Sequence, residues 1–479
     1  MALGNAWEKR KNCWVLWFMR GADHLLLDQP CSTTLSHAHT FFHMLSRLPP
    51  EVSLDIFGLL ELEHLAKCLR VCREWNHFLT KTPSLWIHLN LRRHLVSGLD
   101  VTFEAYQYAL KNYIMWAGSH LKTLRLDFEL SEVYGTLALQ LVATHGCKRL
   151  ERLELNNTAG PEEALLMLRA LRSMGTITSL TFLQLYCLDM TLHEIDTILF
   201  TNFPNLQYLD LSDSCIYDTY LEHNNPVATN IRELTLSNID QSTSSAFEYI
   251  LRSCPKLERL ECYNAHPSYR IIQLLSQYCS SLTTLGFGYR PNLGVQSAER
   301  IQLMTAVHSM SLRQITDSLF TGIVSYGSCT TLTSLNLHAC AISDECIGLL
   351  ADSNTSFPQL KSLHLIMIHE LTEFGLEALL SACTHLQQLV IKRASDIIIS
   401  DFTLDAFSRL ESLVDITYEQ PDQVTPMAIR RLVTDRHILL NRAGDFCKLH
   451  LAFNYHTRLT VHFPTQMSVD ALLETSSFF

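Results

Sequence analysis

The chain has 479 residues, 47% hydrophobic and 18% charged, with only 17 Gly and 14 Pro. That composition excludes a disordered, collagen-like or low-complexity chain. Its net charge of −11, from 37 basic and 48 acidic residues, argues against a nucleic-acid partner, which would call for a basic face. The length exceeds one compact core unless the chain is a repeat array, in which each unit packs only on its neighbours.

Residues 1–43 read as an extension expected to be poorly ordered. Lys9-Arg10-Lys11 precedes an apolar stretch from Cys13 to Met19, but Arg20 interrupts it and no small-residue cleavage site follows, so no secretory signal is expected. No apolar run approaches the roughly 18 residues of a membrane span, so no membrane partner is expected. Fifteen cysteines, an odd number spread along the chain, read as reduced thiols and point to the cytoplasm and/or the nucleus. His37, His39 and His43 crowd near Cys31, but the metalloprotease arrangement, with Glu between the histidines, is absent, and no metal site is expected.

From Leu45 to Trp86 the spacing predicts three short helices. Pro49 and Pro50 favour a helix start, because proline lacks a donor that the first turn could not use. Val52, Ile56, Phe57 and Leu60 share one helical face; Leu62, Leu65 and Leu69 form a second stripe; Cys72, Trp75, Phe78 and Leu79 form a third. A domain this small is marginal alone and gains from a partner or an adjoining domain.

Beyond residue 120 the pattern L-x-x-L-x-L recurs. It starts at Leu121, Leu150, Leu180, Leu206, Ile231, Leu257, Leu282, Leu332, Leu360 and Leu386, with less regular copies at Leu410 and Phe446. Most starts stand 25 to 30 residues apart; the gap of 50 after Leu282 equals two periods and places a weaker unit at Val307–Leu312. Alternate residues of a strand face opposite sides, so the fourth and sixth positions point into a core and the third and fifth point out. Helical returns follow, with Phe247, Ile250, Leu251 and Cys254 at i, i+3, i+4 and i+7, and Leu376, Leu379, Leu380 and Cys383 likewise. The expected fold is α/β: small helices, then a curved solenoid with parallel strands on the concave face and helices on the convex one. Cys147, Cys254, Cys279, Cys329 and Cys383 each precede a repeat start by three residues, which marks them as apolar filler. No C-x-x-C pair, phosphate-binding loop or nucleophile elbow occurs, so no catalytic residue and no cofactor is expected.

The segment from Leu45 resembles an F-box: Leu48-Pro49, Glu51, Ile56-Phe57, Leu60, Leu65, Val71-Cys72-Arg73, Trp75 and Leu85-Trp86 occur in that family's order. The acid usual before Leu65 is replaced by His64, with Glu63 one position earlier. The repeats resemble the cysteine-containing leucine-rich repeats common in F-box proteins. The resemblance divides the chain into an F-box over 44–91, a helical linker or N-terminal cap over 92–120, leucine-rich repeats over 121–420 and a C-terminal degenerate repeat or cap over 421–479. It implies a non-catalytic substrate receptor of a Skp–cullin–F-box ubiquitin ligase. The Skp adaptor, and through it cullin and a RING protein, would be partners. Residues carried over as facing or supporting the adaptor are Leu48, Pro49, Ile56, Phe57, Leu60, Val71, Cys72 and Trp75.

A protein substrate is expected on the concave face in the first half of the arc. Phe182, Tyr186, Tyr208 and Tyr263 project there beside Asp210, Glu233, Arg259 and Glu261. Thr284, Gly286, Gly288, Ser309, Ser311, Ser334 and Asn336 further on offer little area. Two other readings compete: a leucine-rich scaffold that binds the Skp adaptor without forming a ligase, and a leucine-rich regulator of small GTPases, against which the F-box counts.

Overall fold

The computed structural model describes residues 48–91, 103–126, 128–156, 161–186, 188–217, 228–237, 244–263, 269–288, 331–338, 342–352, 357–368, 370–392, 403, 406–407, 409–419, 448–453 and 457–462. The histidine cluster near Cys31, the unit at Val307–Leu312 and Cys329 lie outside them. The chain divides into two compact units, one of Met1–Asn156 with Leu165–Leu180 and one of Asn157–Ala164 with Thr181–Phe479.

The first unit begins with α1 (Pro50–Gly58), α2 (Leu62–Cys68) and α3 (Arg73–Thr80). Pro50 sits in the first turn of α1, and the Pro49 carbonyl accepts from the amides of Val52 and Ser53 at 3.0 and 3.1 Å, as the proline pair predicts. Phe57, Leu60, Leu65, Trp75 and Leu79 form the core, with the Phe57 ring edge-on to Trp75 at 5.3 Å and tilted against Phe78 at 5.7 Å.

That core does not end at residue 91. Trp86 is fully buried, donates its indole N–H to the Leu79 carbonyl at 2.8 Å, and stacks on Tyr113 at 5.1 Å and against Trp116 at 5.0 Å. Both partners belong to α4 (Phe103–Ala117), inside the stretch expected to be a helical linker or cap. β1 (His88–Leu91) pairs in parallel with β2 (Thr123–Leu126), which pairs in parallel with β3 (Arg152–Asn156). The sheet therefore starts one rung earlier than the first recognised repeat, inside the segment assigned to the F-box. α5 (Phe128–Thr144) joins β2 to β3; α6 (Pro161–Ser173) contributes to this unit from Leu165 onward.

The second unit carries β4 (Phe182–Tyr186), β5 (Met190–Thr191), β6 (Tyr208–Asp210), β7 (Ile216–Tyr217), β8 (Glu233–Thr235), β9 (Arg259–Tyr263) and β10 (Thr284–Gly288). It continues with β11 (Ser334–His338), β12 (Ser362–Ile366), β13 (Gln388–Lys392), β14 (Asp415–Glu419), β15 (Lys448–Phe453) and β16 (Thr457–His462). Strands β4, β6 and β8 through β15 form one parallel ladder, closed by an antiparallel β16; β5 and β7 form a separate parallel pair. The helices are α7 (Ser244–Ser253), α8 (Tyr269–Tyr278), α9 (Asp344–Asp352) and α10 (Glu373–Ser381), with a short helical turn and a π turn over 192–200.

The alternation holds. The fourth and sixth positions, such as Leu183 and Leu185 or Leu363 and Leu365, are buried, and the helical stripes of α7 and α10 face the same core. The filler position is buried at Cys147, Ile177, Phe203, Cys254, Cys279, Phe357 and Cys383, whereas Ala228, three residues before Ile231, is exposed. Its carbonyl accepts the amide three residues on, for example Cys254 from Leu257 at 3.1 Å and Phe357 from Leu360 at 3.2 Å.

Two expectations about the repeats need correction. At Leu410 the recurring turn is Leu410 carbonyl to Leu413 amide, at 3.1 Å, so Leu410 is the filler and the unit starts at Leu413. And β10 pairs directly with β11, Thr284 opposite Ser334, so no strand from the expected unit at Val307–Leu312 stands between them. At the far end the parallel ladder continues from β14 to β15, where Lys448, the third position of the copy at Phe446, stands opposite Asp415.

Candidate functional site

Two surfaces carry the residues singled out by sequence. The first is on α1. Heptad-like spacing gives this helix two adjacent stripes: Ser53, Phe57 and Leu60 turn inward and are buried, while Val52, Ile56 and Leu59 turn outward. Val52 is 41% exposed and Leu59 48%, and Pro49 is exposed beside them. The eight expected adaptor residues thus separate. Phe57, Leu60 and Trp75 are in the core; Pro49 is on the surface; Leu48, Ile56, Val71 and Cys72 are half-buried. Val52 and Leu59 were not among those eight, although their i, i+4, i+7 spacing with Ile56 was there to be read. Cys72 caps α3, its sulfur accepting from the Trp75 amide at 3.5 Å. α2 starts without a side-chain cap, and Glu63 pairs instead with Lys67 at 3.0 Å.

The second surface is the outer face of strands β4, β6, β8 and β9, all in the second unit. Register places Phe182 opposite Tyr208, and their rings stack at 3.9 Å with planes 5° apart. Glu233 stands opposite both Tyr208 and Arg259, and Thr235 opposite both Asp210 and Glu261. The Arg259 guanidinium lies 3.8 Å from Glu233 and 3.6 Å from Glu261. The structure brings Phe182, Tyr186, Tyr208, Asp210, Arg259 and Glu261 together; Tyr263 has its backbone in β9, and its side chain lies outside the described residues.

Asp210 departs from expectation. The fifth position should project outward, yet this carboxylate is only 3% exposed. Its Oδ1 accepts from the Ser212 amide at 3.0 Å and the Ser212 hydroxyl at 2.6 Å, the Tyr208 hydroxyl lies 3.5 Å from its Oδ2, and Tyr186 also hydrogen-bonds to it. Burial, with a contribution from the Glu261 charge, holds its carboxyl above the ordinary value, against the pull of Ser212 and Tyr186. The same burial, with the Asp210 charge next, raises the Tyr186 phenol and pushes Tyr208 up to about 12. These phenols therefore stay protonated and act as donors.

The buried thiols are not poised for nucleophilic chemistry. Burial pushes the thiols of Cys68, Cys254, Cys262, Cys279 and Cys383 up to about 12 and that of Cys147 up to about 11, far from a nucleophilic thiolate. Among the described residues no cluster of His, Cys, Asp and Glu is placed to hold a metal, and no helix is long and apolar enough to cross a membrane.

Comparison with known proteins adds the following. A family described as F-box-like matches residues 45–92. The chain is similar to F-box/LRR-repeat protein 4 of Bos taurus, 28% identical over 187 residues that cover 37% of this chain and 29% of that protein. It is similar to F-box/LRR-repeat protein 5 of Xenopus laevis, 26% identical over 266 residues, covering 50% of this chain and 35% of that one. The matches span about a third of these relatives' length. Among solved structures, the complex of Rad7 and Elc1 in yeast matches with a TM-score of 0.42 and 14% identity, covering 85% of this chain and 90% of that one.

Proposed function

We propose that this chain, which carries an F-box-like domain followed by leucine-rich repeats and is homologous to the F-box/LRR-repeat proteins, is the substrate-recognition adaptor of a Skp–cullin–F-box ubiquitin ligase. The observation that carries the reading is the outward stripe Val52–Ile56–Leu59 with Pro49 at its head. The core is completed by the adjacent stripe of Ser53, Phe57 and Leu60, and a contiguous apolar stripe left outside it is the kind of patch that takes a partner.

In this reading α1 docks on the Skp adaptor, which joins the chain to cullin and a RING protein. The sheet face around Phe182, Tyr186, Tyr208, Asp210, Arg259 and Glu261 holds a protein substrate. Ubiquitin transfer is then accelerated by proximity, the substrate lysine being held near the charged thioester, and the chain itself supplies no acid, base or nucleophile. The work would take place in the cytoplasm or nucleus, where free thiols such as Cys68 and Cys254 persist.

The test is a Val52→Asp/Leu59→Asp variant of the full chain, co-expressed with the Skp adaptor, cullin and the RING protein. Adaptor co-purification should be lost while stability changes by no more than about 0.5 kcal/mol, as for surface substitutions. Undiminished adaptor binding would sink the assignment of α1. For the wild type, adaptor retained without cullin or RING protein would favour the scaffold reading over the ligase.

A further inference from the structure

Resting on the reading of the β4–β9 face as the substrate surface, we infer that the segment it takes is basic: an extended stretch with lysine or arginine next to an apolar or aromatic residue. The charges on this face are Asp210 on β6, Glu233 on β8, and Arg259 and Glu261 on β9; β4 presents Phe182, Gln184 and Tyr186, which carry none. Three carboxylates thus face one guanidinium, and that guanidinium is already shared between Glu233 and Glu261. Beyond β9 the third and fifth positions of β10 are Thr284 and Gly286, so among the described residues β10 adds no cation to the patch.

A patch of carboxylates alone would be a solvated surface. Two features separate this one from that. Asp210 is held almost out of water by Ser212, Tyr186 and Tyr208, with no cation among its partners in the described residues, and the adjoining Glu261 charge makes its ionised form costlier still. An incoming cation offsets both penalties at once. Next to it the Phe182–Tyr208 stack offers a half-exposed aromatic step. The aliphatic stem of lysine or arginine can lie along such a step with its charged head toward the carboxylates, adding cation–π attraction. An acidic or phosphorylated segment meets three like charges in the same place. The excess is local: in the first unit Glu154 is flanked by Arg125 and Arg152, so the outer face of β2 and β3 carries the opposite balance.

The experiment uses the full chain, co-purified with the Skp adaptor, to select from a randomised library of linear peptides. Selected peptides are then measured against the wild type, Glu233→Lys/Glu261→Lys and Phe182→Ala/Tyr208→Ala variants, each checked for adaptor retention and melting temperature. The expected result is enrichment of Lys or Arg beside an apolar residue, with affinity reduced at least roughly tenfold in both variants. Enriched peptides that lack basic residues but still depend on Phe182 and Tyr208 would overturn the basic assignment and leave the face as the substrate surface. Basic peptides indifferent to both variants would overturn the face itself. Absence of any enrichment would overturn the inference that a linear basic segment is bound.

Discussion

The outward stripe of α1 and the outer face of β4–β9 solve the same problem, leaving side chains free for a partner, in opposite ways. The stripe is apolar and lies within eight consecutive residues, Val52 to Leu59, backed by a core helix face. The strand face is polar, charged and aromatic, and each neighbour comes from a different repeat. The helix surface depends on one small core; the sheet surface depends on the spacing of many rungs. Damage should therefore travel differently in the two.

The largest effect should come from that small core. Phe57→Ala or Trp75→Ala removes a buried ring from the contact at 5.3 Å and should cost about 3–5 kcal/mol locally. Hydrogen exchange over α1–α3 is the right measurement, because a chain of two units need not melt in one step. Unaltered protection there would contradict the core assigned to Phe57 and Trp75.

Truncating the aromatic step comes next. Phe182→Ala/Tyr208→Ala should cost more than about 2 kcal/mol in substrate capture, the range of an aromatic hot spot, while adaptor binding holds. If both fell together, the two surfaces would not be energetically separate and the comparison would break.

A third substitution probes rung spacing. Gly375 in α10 lies under Leu371 and the Asp344 carboxylate, and an added Cβ would run into both. Asp344 also accepts from the Thr372 amide at 2.9 Å and its hydroxyl at 2.5 Å, tying the start of α9 to the start of α10. Gly375→Ala should destabilise the second unit by about 1–3 kcal/mol, as overpacking does, read from the urea midpoint. No shift in the midpoint would mean that the two helix starts can separate freely.

Salt should divide the surfaces further. Raising ionic strength from about 0.1 to 0.5 M shortens the screening length and should weaken peptide capture on the strand face severalfold, with adaptor binding to the α1 stripe changed by less than about twofold. Equal sensitivity would remove the chemical distinction drawn between them.

The smallest effect concerns Asp210. Its carboxyl is raised in the folded state, so the stability linked to its protonated form is present below the ordinary carboxylate range and is lost as pH rises through the folded value. Asp210→Asn removes that dependence. The variant should gain stability relative to wild type as pH rises through that window and keep a constant difference above it; a difference that is flat across the window would refute the shift.

Much of this was legible in the sequence, and the misses have physical causes. The F-box segment is contiguous, so its order of residues could be read directly. The spacing of Val52, Ile56 and Leu59 was there as well, but Val52, Ile56, Phe57 and Leu60 fall within one broad arc, and only the positions of Trp75 and Phe78 decide which half turns inward. The start at Leu413 was hidden because L-x-x-L overlaps itself: Leu410 and Leu413 both fit, and the turn between them decides. The rung at β1 was missed because Leu89 and Leu91 stand alone, without the leading half of the pattern. The gap of two periods suggested a hidden unit, but spacing cannot say whether the intervening chain enters the ladder. Burial of Asp210 depends on Tyr186, which stands a whole repeat earlier in the chain and reaches it only across adjacent strands.

The aromatic cluster of Trp86, Tyr113 and Trp116 has a mechanical consequence. It welds the three small helices to α4, and Leu89 and Leu91 of the strand that follows Trp86 are buried as well. A joint filled by three interlocked rings resists bending in a way that a loose tether does not. Whatever grips α1 thereby also fixes the orientation of the first rungs β1 and β2, as a handle fixes a blade. A cut after residue 91 would pass through that weld, stripping β2 of one of its two neighbouring strands and uncovering Tyr113 and Trp116, so removing the helices by truncation would blunt the first rungs along with the handle.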